Sequence, residues 1–206
     1  MIVISEIPIT IEERLALGES ALLFPAPWEQ YISLLDQVEY TLEYHNENIV
    51  ALSYASEIHE EMVARLIYLI QQSCFDTSLR VLASNHRVHL PEQVSNFAPD
   101  LIVVDGTSDR KMLGPKKSAI LNPYLVVEIL STGTRNYDLG TKLPTYKQMP
   151  ALDYILYIDS EEIAATLHHR DSKTSLWRST DYDATHDTIR IGEVEIILSQ
   201  VYPQAF

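Results

Sequence analysis

Two carboxylates set in apolar runs are the residues of this chain whose placement points to chemistry. Asp100 follows Pro99 and precedes Leu101-Ile102-Val103-Val104, and Glu128 lies within Leu125-Val126-Val127-Glu128-Ile129-Leu130. Short runs of branched apolar residues are what a buried strand requires. If the two strands are antiparallel neighbours, the start of the first meets the end of the second and the acids face each other. Facing acids in an apolar sheet repel and lose solvation, so they call for a partner such as a hard cation. The chemistry implied is divalent-metal binding. The plainer alternative is a pair of strand-end acids bonded to backbone amides or to arginine.

Other residues qualify more weakly. Asp138 and Lys142 are four apart, so on a helix they meet on one face. Taken alone, that spacing is an ordinary surface ion pair. Arg135 sits where the Glu128 strand turns toward a helix and suits a phosphate contact. Of the twelve tyrosines, Tyr137 and Tyr146 are placed to stack on bases, although core packing explains most tyrosines as well. His168 and His169 are adjacent and on a strand point to opposite faces, so they do not share a metal. Cys74, the single cysteine, lies in an apolar helical stretch and reads as a buried thiol.

Several elements must position these groups. Residues 1–27 read as an irregular N-terminal arm interrupted by Pro8, Pro25 and Pro27. Apolar residues at Trp28, Tyr31, Ile32, Leu34 and Leu35 predict a short amphipathic helix. Two β-rich runs, 38–44 and 49–54, flank His45-Asn46-Glu47-Asn48 and predict a hairpin. Ser56 is an N-cap for a helix out to about Ser73, with Glu57, Glu60 and Glu61 near the positive end of its dipole. Strands are expected at 80–83, 86–90, 100–104, 124–130 and 153–159, with a loop at 105–117. A second helix over 139–149 is weakened by Gly140 and Pro144. A hairpin over 163–169 and 175–179 and a strand at 194–198 follow. The pattern is an α/β or α+β sheet with helices packed on it, with residues 28–206 as one domain.

Composition narrows the function classes. The chain has 206 residues and is 46% hydrophobic, with no apolar run near the ~18 residues that span a bilayer. Its first residues lack the pattern of a signal peptide, so a cytoplasmic location is expected. A net charge of −14 opposes wholesale nucleic-acid binding. The charge is uneven: residues 1–61 hold twelve acids and one base, whereas 79–147 hold nine bases and six acids. The segment carrying Asp100 and Glu128 is thus the locally basic one.

The segment from Glu128-Ile129-Leu130-Ser131 through Asp138 to Lys142, with Pro99-Asp100 upstream and the strand Asp153–Asp159 downstream, resembles the Uma-two family of endonucleases. That family is part of the PD-(D/E)XK restriction-endonuclease-like superfamily. The resemblance begins at Glu43-Tyr44, includes Ser56-Glu57-Ile58-His59 and covers roughly residues 40 to 160. It implies a restriction-endonuclease-like α/β fold with a central mixed β-sheet flanked by helices, an extra N-terminal hairpin and C-terminal strands. It also implies Mg²⁺- or Mn²⁺-dependent hydrolysis of phosphodiester bonds in DNA. Asp100, Glu128 and the backbone carbonyl of Ile129 would hold the metal.

The superfamily's lysine two residues after the glutamate is missing, since Leu130 stands there. The resemblance points instead to Lys142 as a relocated lysine. It makes His59, at the helix start, a further catalytic candidate with Glu57 as an alternative, and Arg135, Asp138 and Tyr146 candidates for substrate contact. Such folds often dimerise, and Trp28–Leu35 is an expected source of a homodimer interface. The rival reading is a catalytically inactive nuclease-fold module that binds nucleic acid or a protein partner.

Overall fold

The structure, a computed structural model, describes residues 6–18, 21–83, 86–114 and 117–202. Met1 to Ser5, read above for a leader, lie outside them, as do Pro115 and Lys116 of the 105–117 segment. The strands are β1 (Leu22–Pro25), β2 (Leu42–His45), β3 (Asn48–Ala51), β4 (Leu79–Ala83) and β5 (Arg87–Leu90). Next come β6 (Ser95–Phe97), β7 (Leu101–Asp105), β8 (Arg110–Met112), β9 (Ser118–Ile120) and β10 (Leu125–Leu130). The last five are β11 (Tyr154–Asp159), β12 (Ala165–Arg170), β13 (Trp177–Tyr182), β14 (Thr188–Ile191) and β15 (Val194–Ile197). Helices α1 (Ile11–Leu15), α2 (Trp28–Leu34) and α3 (Glu57–Ser73) precede a kinked helix made of α4 (Arg135–Tyr137), a π-turn (Asp138–Lys142) and α5 (Leu143–Tyr146). A short α6 (Leu198–Val201) follows β15.

Two mixed sheets form the body of the protein. One has six strands in the order β13-β12-β11-β10-β7-β4, and the other has seven in the order β1-β3-β2-β6-β5-β9-β8. Facing side chains pack the sheets together: Val50, Val88, Leu90 and Phe97 from the seven-stranded sheet meet Ile102, Val104, Val126 and Ile155 from the six-stranded one. On the other face of the six-stranded sheet, Leu125, Val127 and Ile129 pack with α3, β14, β15 and α6. Alternation along β10 therefore assigns its faces. Odd residues face α3, and Glu128 faces the second sheet with Val126 and Leu130.

Local chemistry accounts for the main elements. Ser56 Oγ accepts the His59 N–H at 3.2 Å, capping α3, whose Met62, Val63, Leu66, Leu69 and Ile70 are buried. Asn46 and Glu47 both take positive φ, the turn that matches the twist of the β2–β3 hairpin. β10 and β11 are parallel, so their connection must cross over the sheet, and the kinked helix is that crossover.

Three expectations need correcting. The N-terminal arm is not wholly irregular: α1 carries a capping box at Thr10, and β1 pairs with β3 at the sheet edge. The expected loop at 105–117 contains β8, whose three residues are exposed and lack the apolar alternation that would have revealed it. The apolar side of the Trp28–Leu35 helix faces inward: Tyr31 and Leu35 are buried, and Trp28 packs on Tyr44 and His89. The core uses the surface that a homodimer interface there would need. Among the described residues, no helix is long and apolar enough to cross a membrane.

Two buried histidines make stability depend on pH. Burial lowers His89 to about 4, with Lys111 acting in the same direction, and burial with Lys147 does the same for His168. Both stay neutral in the folded chain while the unfolded chain binds protons below about 6.5, so stability falls as pH drops from 6.5 toward 4. By pH 5 the loss should be on the order of 2 kcal/mol per histidine. Urea denaturation at pH 7 and pH 5 measures it, and a His89→Gln/His168→Gln variant should lose most of the difference.

Candidate active site

Antiparallel pairing of β7 and β10 places Leu101 opposite Val127, so Asp100 and Glu128 meet one step further along. The crossover required by the parallel β10–β11 pair then lies over the face that carries Glu128. Pro144 sits inside this crossover helix, where it has no N–H to donate and its ring opposes the carbonyl four residues back. The helix does not break. It widens into the π-turn, in which Leu143 N–H reaches back five residues to the Asp138 carbonyl. The Tyr157 hydroxyl of β11 donates to that same carbonyl at 3.1 Å. The turn directs Asp138, Lys142 and Tyr146 inward.

Lys142 is the centre of the resulting cluster. Its Nζ lies 3.0 Å from Glu128 Oε1, 3.1 Å from Asp138 Oδ1 and 3.2 Å from Glu43 Oε1. Lys142 is 2% exposed, Glu128 and Asp138 are each 3% exposed, and Glu43 is fully buried. This burial rules out a surface ion pair for Asp138 and Lys142. Burial alone would push the Lys142 ammonium down, but Asp138, Glu128 and Glu43 outweigh it and keep it charged. Burial holds Glu128 well above the ordinary carboxylate range; Lys142 opposes the shift, while Asp138, Asp100 and Glu43 reinforce it. Tyr146 donates to Glu128 Oε1 at 2.7 Å. Three buried carboxylates around one ammonium leave an excess of negative charge.

Asp100 is held from two sides. Its Oδ2 accepts the Ile129 N–H at 2.7 Å and lies 3.2 Å from His59 Nε2, which the first turn of α3 delivers. The backbone-amide contact is the one expected of an ordinary strand-end acid, yet it engages one oxygen only. Among the described residues, neither Asp100 Oδ1 nor Glu128 Oε2 makes a hydrogen bond. His59 is largely shielded, with its side chain 13% exposed. Burial lowers it, but Asp100 more than compensates and raises it above its usual value.

The structure thus brings together Asp100, Glu128, Ile129, Lys142, His59, Asp138 and Tyr146. Arg135 stands apart, bound to Asp159 at the end of β11. Glu57 is exposed, and Tyr137 and Tyr146 are core residues beside Phe97. Glu43 is the member that sequence reasoning missed. Its position in a predicted hairpin strand was visible, but its partners are 55 and more residues away.

The sequence model of the Uma2 family, described as "Putative restriction endonuclease", matches residues 28–195. The chain belongs to this family. Two proteins of Synechocystis sp. (strain ATCC 27184 / PCC 6803 / Kazusa) are similar. "Uncharacterized protein sll1609" is 27% identical over 130 residues, 63% of this chain and 72% of that protein. "Uncharacterized protein slr1290" is 26% identical over 157 residues, 76% of this chain and 80% of that protein. Among solved structures, a "putative nuclease belonging to DUF820" from Anabaena variabilis ATCC 29413 superposes with a TM-score of 0.65 at 14% identity, covering 94% of this chain and 97% of that one. The Uma2 chain therefore has the restriction-endonuclease-like α/β fold.

The donor set that could hold a hard divalent ion lies at Asp100 and Glu128. It comprises two carboxylates, each with an oxygen outside the hydrogen-bond network, beside a strand backbone. Among the described residues no group of three or more His, Cys, Asp or Glu side chains is arranged as a metal cage. Mg²⁺ ordinarily takes one or two carboxylates and keeps several waters, so a sparse set suits it better than it suits Ca²⁺ or Zn²⁺.

Proposed function

We propose that this Uma2 chain hydrolyses phosphodiester bonds in DNA, with Mg²⁺ or Mn²⁺ held by Asp100, Glu128 and the backbone carbonyl of Ile129. The observation that carries this reading is the pairing of Asp100 with Glu128 across antiparallel neighbours, each keeping one oxygen free, beside an anion-rich buried cluster. When bound, the metal supplies a more acidic water and neutralises charge developing on the phosphate oxygens. The residues of the chain do the holding. Ile129 N–H and His59 fix the rotamer of Asp100, while Lys142 and Tyr146 fix Glu128 through Oε1. Lys142 also neutralises part of the buried negative charge, doing by position what the absent lysine at Leu130 would otherwise do.

A second reading has its own observation. Lys142 has three carboxylates around its ammonium, matching its three N–H donors, so none is left for a water or phosphate unless a contact opens. This favours a nuclease-fold module that binds nucleic acid or a protein without cutting, and the net charge of −14 weighs toward the protein partner. Supercoiled plasmid, circular single-stranded DNA and RNA, each with Mg²⁺, Mn²⁺ or EDTA, separate the readings. Metal-dependent nicking or linearisation of DNA that EDTA abolishes is the expected result. Stable DNA complexes with no cleavage in any metal would replace the enzyme reading with the module. Cleavage of RNA alone would correct the substrate.

A further inference from the structure

We infer that Glu43 is a positioning residue that fixes both halves of the site, Asp100 through the backbone and Lys142 through its ammonium. The inference rests on the metal-dependent nuclease reading. Glu43 is the one member of the cluster supplied by the seven-stranded sheet, whereas Asp100 and Glu128 belong with the six-stranded sheet. Between β6 and β7 the chain leaves one sheet and enters the other through Ala98-Pro99-Asp100. Glu43 Oε1 accepts the Ala98 N–H at 2.7 Å, within that crossing and two residues before Asp100. Pro99 fixes its own φ and restricts Ala98 to extended backbone, so restraint at Ala98 is transmitted to Asp100. The same oxygen lies 3.2 Å from Lys142 Nζ.

Packing alone does not explain an acid here. A fully buried carboxylate is expensive, and an apolar residue of similar volume would join the sheets at less cost. The side chain of Glu43 also interacts with the buried Tyr137 hydroxyl of the kinked helix, so it reaches that helix at a second point. Direct metal ligation is not what the arrangement offers, because Glu43 Oε1 is already taken up by the Ala98 N–H and the Lys142 ammonium. The group joins the backbone of one carboxylate to the counter-ion of the other.

Glu43→Gln and Glu43→Ala separate the two links. Glutamine keeps an acceptor for Ala98 N–H and removes the charge facing Lys142; alanine removes both. For Glu43→Gln we expect Mn²⁺ affinity by calorimetry within about 2-fold of wild type and plasmid cleavage about 10–100-fold slower. For Glu43→Ala we expect Mn²⁺ affinity also to fall about 10–100-fold, with amide exchange at Ala98 and over 138–146 at least tenfold faster. Wild-type cleavage in both variants overturns the inference. An equal loss of Mn²⁺ affinity in both makes Glu43 a ligand instead, and accelerated exchange throughout the chain makes it a general stability residue. If the wild type neither binds Mn²⁺ nor cuts DNA, the nuclease reading fails, and the exchange data still decide whether Glu43 pins Ala98 and the kinked helix.

Discussion

Lys142→Ala is expected to destabilise the protein by about 3–5 kcal/mol, the cost of leaving a buried charge without its partner. At roughly 2–4 °C per kcal/mol for a chain of this size, the Tm should fall by about 6–20 °C. A surface ion pair would give at most about 1 kcal/mol, so the size of the change distinguishes the two situations. Burial decides between them, since Lys142 is 2% exposed and is the cation that Glu43, Glu128 and Asp138 share. The deficit of the variant relative to wild type should also shrink as pH is lowered. Without the ammonium, the buried carboxylates bind protons more readily in the folded than in the unfolded state, so folding is favoured by acid. Differential scanning calorimetry between pH 7.5 and 5 measures both effects. A Tm within 2 °C of wild type at neutral pH would show that the carboxylates do not depend on Lys142.

The second large effect concerns the metal. Saturating Mg²⁺ or Mn²⁺ at a hundredfold excess over Kd should stabilise the wild type by about 2.7 kcal/mol, or roughly 5–10 °C in Tm. Asp100→Asn and Glu128→Gln keep the hydrogen-bond acceptors that Ile129, His59, Tyr146 and Lys142 use and remove one charge each. Neither should show the metal-induced shift. Cleavage should fall by about 10³-fold in each, since several kcal/mol of charge stabilisation at about 1.4 kcal/mol per decade is lost. Equal metal shifts in the wild type and both variants would place the ion elsewhere.

Much of the frame was readable from local pattern. Ser56 followed by acids and an apolar stripe predicted α3 because capping and amphipathicity are properties of neighbouring residues. The branched runs marked β7 and β10. What resisted reading lacked a local signature. β8 is wholly exposed, and β14 is a four-residue strand whose partner β15 supplies its pairing. Pro144 and Gly140 marked a weakened helix, and the helix continues by widening into a π-turn whose Asp138 carbonyl also accepts the Tyr157 hydroxyl.

The acids themselves show where sequence stops and tertiary structure begins. The placement of Asp100 and Glu128 in apolar runs determined that they would be strand carboxylates in need of partners, because burying a charge is costly wherever it occurs. Which partners they would find depended on contacts between distant segments. Antiparallel register brought the two acids together, the parallel β10–β11 crossover laid Lys142 over Glu128, and the packing of two sheets inserted Glu43 from 99 residues before Lys142. Electrostatic energy depends on separation in space, so spacing along the chain could assign only the Asp138–Lys142 edge of that cluster.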